Sequence, residues 1–172
     1  MAIARPGFPL LTRNLLRHNS CMPINIRQAS DQDIPSLLSL MRHMQHDDPW
    51  DEPFQETAVQ KNLSELLRNP AYGLAYLACD HQIPIGYLLI CFDFSLEYRG
   101  KGAWIDELFV EPPHRGLGIG AQLLDLAERA ACECGASVLH LEVTHGNPAI
   151  ELYRRRGFVD HQRYLMTKSL LS

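Results

Sequence analysis

Three glycines alternate in Arg115-Gly116-Leu117-Gly118-Ile119-Gly120, directly behind the strand-breaking pair Pro112-Pro113 and ahead of a run with helical periodicity. Strand, glycine turn and helix in that order build an anion site. Glycine lets the backbone approach a phosphate, consecutive N–H groups point at it, and the helix start adds about half a positive charge. Arg115 adds a full one. The Gly-Lys-Ser/Thr ending of a P-loop is missing, and the alternation differs from the dinucleotide fingerprint Gly-x-Gly-x-x-Gly. The diphosphate of another carrier fits this turn better. An ordinary structural turn is the competing reading.

The second stretch with chemistry in it runs from His140 to Phe158 and holds Glu142, His145, Asn147 and Tyr153. Asn147 suits a helix cap, Pro148 the first helical position, and Gly157 the stop. From the residues alone, Tyr153 reads as a half-buried packing aromatic. Arg154–Arg156 read as a solvated helix end that complements the dipole.

These residues need elements to position them. Ile24–Gln28 has the period of a strand, and Ser30-Asp31 caps a helix to about Gln45 with apolar positions Ile34, Leu37, Leu38, Leu40, Met41 and Met44. An acidic loop with Asp47, Asp48, Asp51 and Glu52 leads to a second helix, about Phe54–Arg68. Gly73–Cys79 and Ile83–Phe94 form a hairpin around Asp80-His81-Gln82. After a polar loop come the strand Ala103–Val110, a helix Ile119–Cys134, a strand Val138–Val143 and a short helix Asn147–Arg155. One or two final strands are expected in Gly157–Lys168. This order implies a mixed α/β sheet with one strand–turn–helix crossover.

Composition sets the class. A chain of 172 residues with 46% hydrophobic and 21% charged residues supports one ordinary globular domain. A net charge of −4 argues against a dedicated nucleic-acid binder, and no apolar run approaches the roughly 18 residues of a membrane span. Five scattered cysteines suit reduced thiols in a cytoplasmic protein. Cys132 and Cys134 have no second pair at zinc spacing, so no metal is expected. Residues 1–21 carry Arg5, Arg13 and Arg17 and no acid. They read as a disordered extension ahead of a domain spanning 22–172; a transit peptide is the other reading.

Arg115-Gly-Leu-Gly118-Ile-Gly120 resembles the R/Q-x-x-G-x-G/A turn of the GNAT superfamily of acetyl-CoA-dependent N-acetyltransferases. Asn147-Pro-Ala-Ile-Glu-Leu-Tyr153-x-x-x-Gly157-Phe158 resembles that family's N-x-x-A-x-x-L-Y-x-x-x-G-F signature, with one residue fewer after the Asn. Trp104-Ile-Asp106-Glu107-Leu108-Phe109-Val110 is similar to the diamine (spermidine/spermine) acetyltransferases. The resemblance implies an α/β fold with a mixed, mostly antiparallel central sheet flanked by helices, whose strands splay at the cofactor site. It implies that the backbone of Leu108, Phe109 and Val110 holds the pantetheine arm of acetyl-CoA together with Asn147. Gly116, Leu117, Gly118, Ile119 and Gly120, with Arg115, hold the diphosphate, and Tyr153 is the general acid for the leaving thiolate. The partner implied is a small amine; a homodimer is open.

A base is also needed, because an amine arrives as ammonium and only its neutral form attacks. Asp106 aligns with the amine-contacting carboxylate of the diamine enzymes, and Glu107 faces the other side of an ideal strand. A bulge would exchange them. Glu142 is the third candidate, and His140 and His145 are peripheral. The acidic loop and the Asp106-Glu107 pair favour a cationic acceptor such as a polyamine, aminoglycoside or basic amino acid. A peptide amine, or an acyl-CoA sensor without turnover, is the alternative.

Overall fold

The computed structural model describes residues 24–170, so the expectation for residues 1–21 lies outside the described residues. The elements follow in the order β1 (Asn25–Gln28), α1 (Ile34–Asp47), α2 (Glu56–Arg68), β2 (Gly73–Asp80), β3 (Ile83–Ser95), β4 (Gly100–Val110), α3 (Ile119–Glu133), β5 (Leu139–Leu141) and α4 (Ile150–Arg155). The five strands lie in sequence order in one sheet, antiparallel from β1 to β4, with β5 parallel to β4.

Local chemistry explains the element starts. Ser30 and Asp33 exchange bonds in a capping box that closes one 3-10 turn, and α1 runs on from it with Pro35 in its first turn, where no N–H is needed. Helices cover both faces of the sheet. On one face α1 and α2 bury Leu37, Met41 and Leu63 against Leu77, Tyr87, Leu89 and Phe109. On the other, α3 buries Leu123, Ala127 and Ala131 against Leu88, Ile90, Ala103 and Ile105. β3 therefore reads as an almost unbroken apolar run, as a doubly covered strand must.

Two features of β4 position the site. Its register against β3 passes from Leu89↔Glu107 to Ile90↔Ile105, so Asp106 is an extra residue with no opposite number: a bulge. Ile105 and Glu107 would share a face in a regular strand. Here Ile105 packs with the α3 cluster while Glu107 turns to the α1 side. The parallel pairing of β4 with β5 also ends early, at Ile105↔Leu141. Beyond it the two strands separate, which is the expected splay.

The structure corrects the sequence reading at its C-terminal third. The strand expected over Val138–Val143 has only three paired residues. The short helix starts at Ile150 rather than Asn147, whose Oδ1 accepts the Ala149 N–H at 2.9 Å in a local turn. Residues 158–170 form no strand. A strand needs a ladder partner, and the adjoining edge offers only the three residues of β5. Among the described residues no helix is long and apolar enough to cross a membrane.

Candidate active site

A cleft of about 1450 Å³ opens where β4 and β5 separate. It is lined by Asp106, Glu107 and Leu108 from β4, Glu142 and His140 from the β5 side, Asn147 and Tyr153 beside α4, and Asp48 and Trp50 from the loop after α1. The acid and base candidates, with Leu108 and Asn147, thus face one space from distant parts of the chain, whereas Phe109, Val110 and residues 115–120 are not among its lining.

Glu107 is its most unusual member. The residue is 8% exposed, and its carboxylate accepts hydrogen bonds from Trp50 Nε1 at 2.9 Å and from the Tyr87 hydroxyl at 2.8 Å. Tyr87 is fully buried, with the Met44 sulfur 3.2 Å from its oxygen, so it has no freedom to turn away. Burial pushes the Glu107 carboxyl up to about 7, against the lowering effect of its two donors. A carboxyl poised there can take a proton near neutral pH. Neither donor was visible as a partner in the sequence, because they lie 57 and 20 residues away. The indole in an acidic loop was the one available cue.

Asp106 sits at the bulge and is solvent-exposed. Desolvation over the sheet raises its carboxyl, opposed by the Cys91 thiol. Its charge and that of Glu107, with burial first, push the Cys91 thiol up to about 12, so that thiol stays protonated. Glu142 is exposed on the opposite wall. Of the acidic loop's carboxylates only Asp48 lines the cleft. Asp47 is held by Arg115 Nη2 at 2.5 Å, and Asp51 and Glu52 lie outside it.

Tyr153 is wedged against the α3 cluster, with the Phe158 ring edge-on at 6.0 Å. Arg156 pairs with Asp125 and ties the end of α4 to α3. Burial, and after it the charge of Asp48, raises the Tyr153 hydroxyl above its ordinary value. The phenol therefore carries its proton at any physiological pH and can donate it.

The glycine turn fits an anion. Gly116 and Gly118 have φ of +76° and +82°, and a β-carbon at either would meet nothing within 4 Å. Their conformation, rather than crowding inside the protein, demands glycine. The turn opens directly into α3, whose first N–H groups have no intrahelical partner. Gly120 differs: a β-carbon there would make ordinary contacts at 3.7 Å to Leu152 and 4.0 Å to Leu108, so alanine would fit. Arg115 already has partners within the protein. Besides Asp47, its Nε donates to the Val110 carbonyl at 2.7 Å, and its guanidinium lies 5.4 Å from the Phe109 ring centre. The Val110 carbonyl is accordingly taken, whereas Leu108 has no strand partner on the β5 side. Asn147 spends its carbonyl oxygen on its own turn, leaving its NH2 group for a ligand.

Residues 37–158 match the pattern of the acetyltransferase (GNAT) family. The bovine (Bos taurus) thialysine N-epsilon-acetyltransferase is 27% identical over 152 residues, 80% of this chain and 85% of that protein. The aminoalkylphosphonate N-acetyltransferase of Salmonella typhimurium is 28% identical over 156 residues, 90% of this chain and 97% of that protein. The crystal structure of a predicted acetyltransferase from Clostridium acetobutylicum with acetyl-CoA superposes with a TM-score of 0.73 at 22% identity, covering 85% of this chain and 96% of that one, and shares the fold.

Proposed function

We propose how this chain, which belongs to the acetyltransferase (GNAT) family and as such transfers acetyl groups from acetyl-CoA to amines, carries out that transfer. Glu107 takes a proton from the primary amine of a small cationic molecule, and Tyr153 gives one to the departing thiol. The observation that carries this reading is the poised carboxyl of Glu107 on the wall of the cleft that Tyr153 also lines.

Acetyl-CoA, when bound, supplies an acetyl group in a thioester that an amine can attack. Gly116–Gly120 would hold its diphosphate through N–H groups at the start of α3, and Leu108 and Asn147 would hold its arm. The acceptor enters as ammonium. Glu107, ionised above about pH 7, accepts one proton and frees the nitrogen lone pair. As the new carbon–nitrogen bond forms and the carbon–sulfur bond breaks, the Tyr153 phenolic proton passes to sulfur. The proton then shed by the nitrogen restores the phenol, and Glu107 releases the proton it took to solvent, so the balance closes. Asp106, displaced by the bulge, is left as a charge on the acceptor wall.

The carboxylates lining that space, Asp48, Asp106, Glu107 and Glu142 among them, outnumber its arginines Arg154, Arg156 and Arg163 and give it a negative field, which favours cations. The bovine relative is named for the ε-nitrogen of thialysine, in keeping with an amine on a flexible chain. An aminoalkylphosphonate, the substrate named for the Salmonella relative, would meet repulsion on this wall. The test is thiol release from acetyl-CoA with polyamines, aminoglycosides, basic amino acids, neutral and anionic amines, and lysine peptides. Turnover confined to peptides, or to anionic amines, would overturn the acceptor assignment.

A further inference from the structure

The β3–β4 hairpin extends the cleft wall with groups that the acetyl-transfer chemistry leaves unused. Asp93 stands opposite Gly102 in the ladder. A β-carbon at Gly102 would lie 2.1 Å from Asp93 Oδ1, although Gly102 lacks a left-handed φ, so space for the carboxylate is what excludes a side chain there. Trp104 Nε1 donates to the other oxygen, Oδ2, at 3.2 Å. The Trp104 ring packs against His140 with centroids 4.7 Å apart, and Tyr98 meets His140 edge-on at 4.7 Å. The carboxylate is thus held in a fixed place beside aromatic rings.

It is also electrostatically unspent. Among the described residues Glu97 pairs with Arg163 and Asp47 with Arg115, but no lysine or arginine pairs with Asp93. The Lys101 ammonium lies over the Phe92 ring, a residue packed on the α3 side of the sheet. Asp93, Tyr98, Trp104 and His140 all line the same cleft as Glu107.

Resting on the acetyl-transfer reading above, we propose that Asp93, flanked by Trp104 and Tyr98, is a subsite for a second ammonium group of the acceptor. Glu107 pairs with Leu89, four residues before Asp93 on β3. At about 3.3 Å per residue the two carboxylates are about 13 Å apart along the strand, so the subsite selects long diamines or triamines over short ones. The second cation gains a carboxylate and aromatic faces, each a modest contact, which together are worth about a five- to tenfold preference.

The experiment compares kcat/KM for diaminooctane with that for amino-octanol, which matches its length but lacks the second amine. Diaminopropane serves as the diamine too short to reach. The parent protein should prefer diaminooctane to both. Asp93→Asn should reduce the ratio of diaminooctane to amino-octanol about five- to tenfold, mainly through KM, and Gly102→Ala, which displaces the carboxylate, should act in the same direction. An undiminished ratio in Asp93→Asn overturns the subsite. If no amine releases thiol, the acetyl-transfer reading fails by itself, and calorimetric titration with diaminooctane decides the subsite. Binding lost in Asp93→Asn upholds it, and equal binding in both proteins removes it.

Discussion

Replacing Glu107 with glutamine should make the protein more stable at pH 8 while removing its activity. The reason lies in the two states of one proton. In the unfolded chain this carboxyl titrates at its ordinary 4.5, and in the folded protein burial moves it to about 7. Between those values the native protein holds the proton and the unfolded chain has released it, so stability falls as pH rises from 4.5 to 7, and the whole penalty is present above. That displacement corresponds to about 3 kcal/mol, of which about 2–3 kcal/mol builds up between pH 5 and pH 8. Glutamine keeps an oxygen for the Trp50 and Tyr87 donors and carries no charge to bury. Its amide needs a new acceptor, which offsets part of the gain. The expected net is about 1–2 kcal/mol at pH 8, or about 2–8 °C in melting temperature for a chain of this size. At pH 5 most of that advantage should disappear. Thermal melts of parent and Glu107→Gln at the two pH values, with kcat/KM at pH 8, check both halves. A variant destabilised by the same amount at both pH values would show that Glu107 is not a buried, poised carboxyl. A variant with parental kcat/KM would show that it is not the base.

Three further outcomes follow from the same geometry. Trp50→Phe removes one donor that favours the ionised carboxyl, so the acid limb of log kcat/KM against pH should move up by about one pH unit, as expected for losing a hydrogen bond to a charged group; an unmoved limb would mean that another group titrates. Gly118→Asp should abolish the rise in melting temperature on adding acetyl-CoA, because it puts a negative side chain at the anion turn, whereas Gly118→Ala should cost about 1 kcal/mol of stability for its positive φ and retain a ligand-induced rise. Tyr153→Phe keeps the ring against Phe158 and should lower kcat about 10²–10⁴-fold with acetyl-CoA affinity nearly intact, and a parental kcat would assign the acid elsewhere.

Much of the architecture was legible in the chain because it depends on local rules. The glycine turn is such a case: left-handed φ at Gly116 and Gly118 needs glycine whatever surrounds it, so the turn announced itself. The 3.6-residue period of α1 and the hairpin of β2 and β3 were equally local. The C-terminal strands were misjudged because a strand exists only with a partner, and residues 158–170 have none in a ladder.

The choice between Asp106 and Glu107 could not be made from the sequence. Alternation assigns neighbours to opposite faces but does not say which face is which once a bulge intervenes, and a bulge is visible only in the register of two strands. Trp50, Tyr87 and Glu107 became one network, and Asp47 took Arg115 from the turn it adjoins, because helices α1 and α2 close one face of the sheet over contacts that span 20 to 68 residues. Residue types and spacing therefore determined which chemistry the chain carries. Tertiary structure decided which carboxyl is buried, because desolvation belongs to the environment around a group, and only the packed fold supplies one.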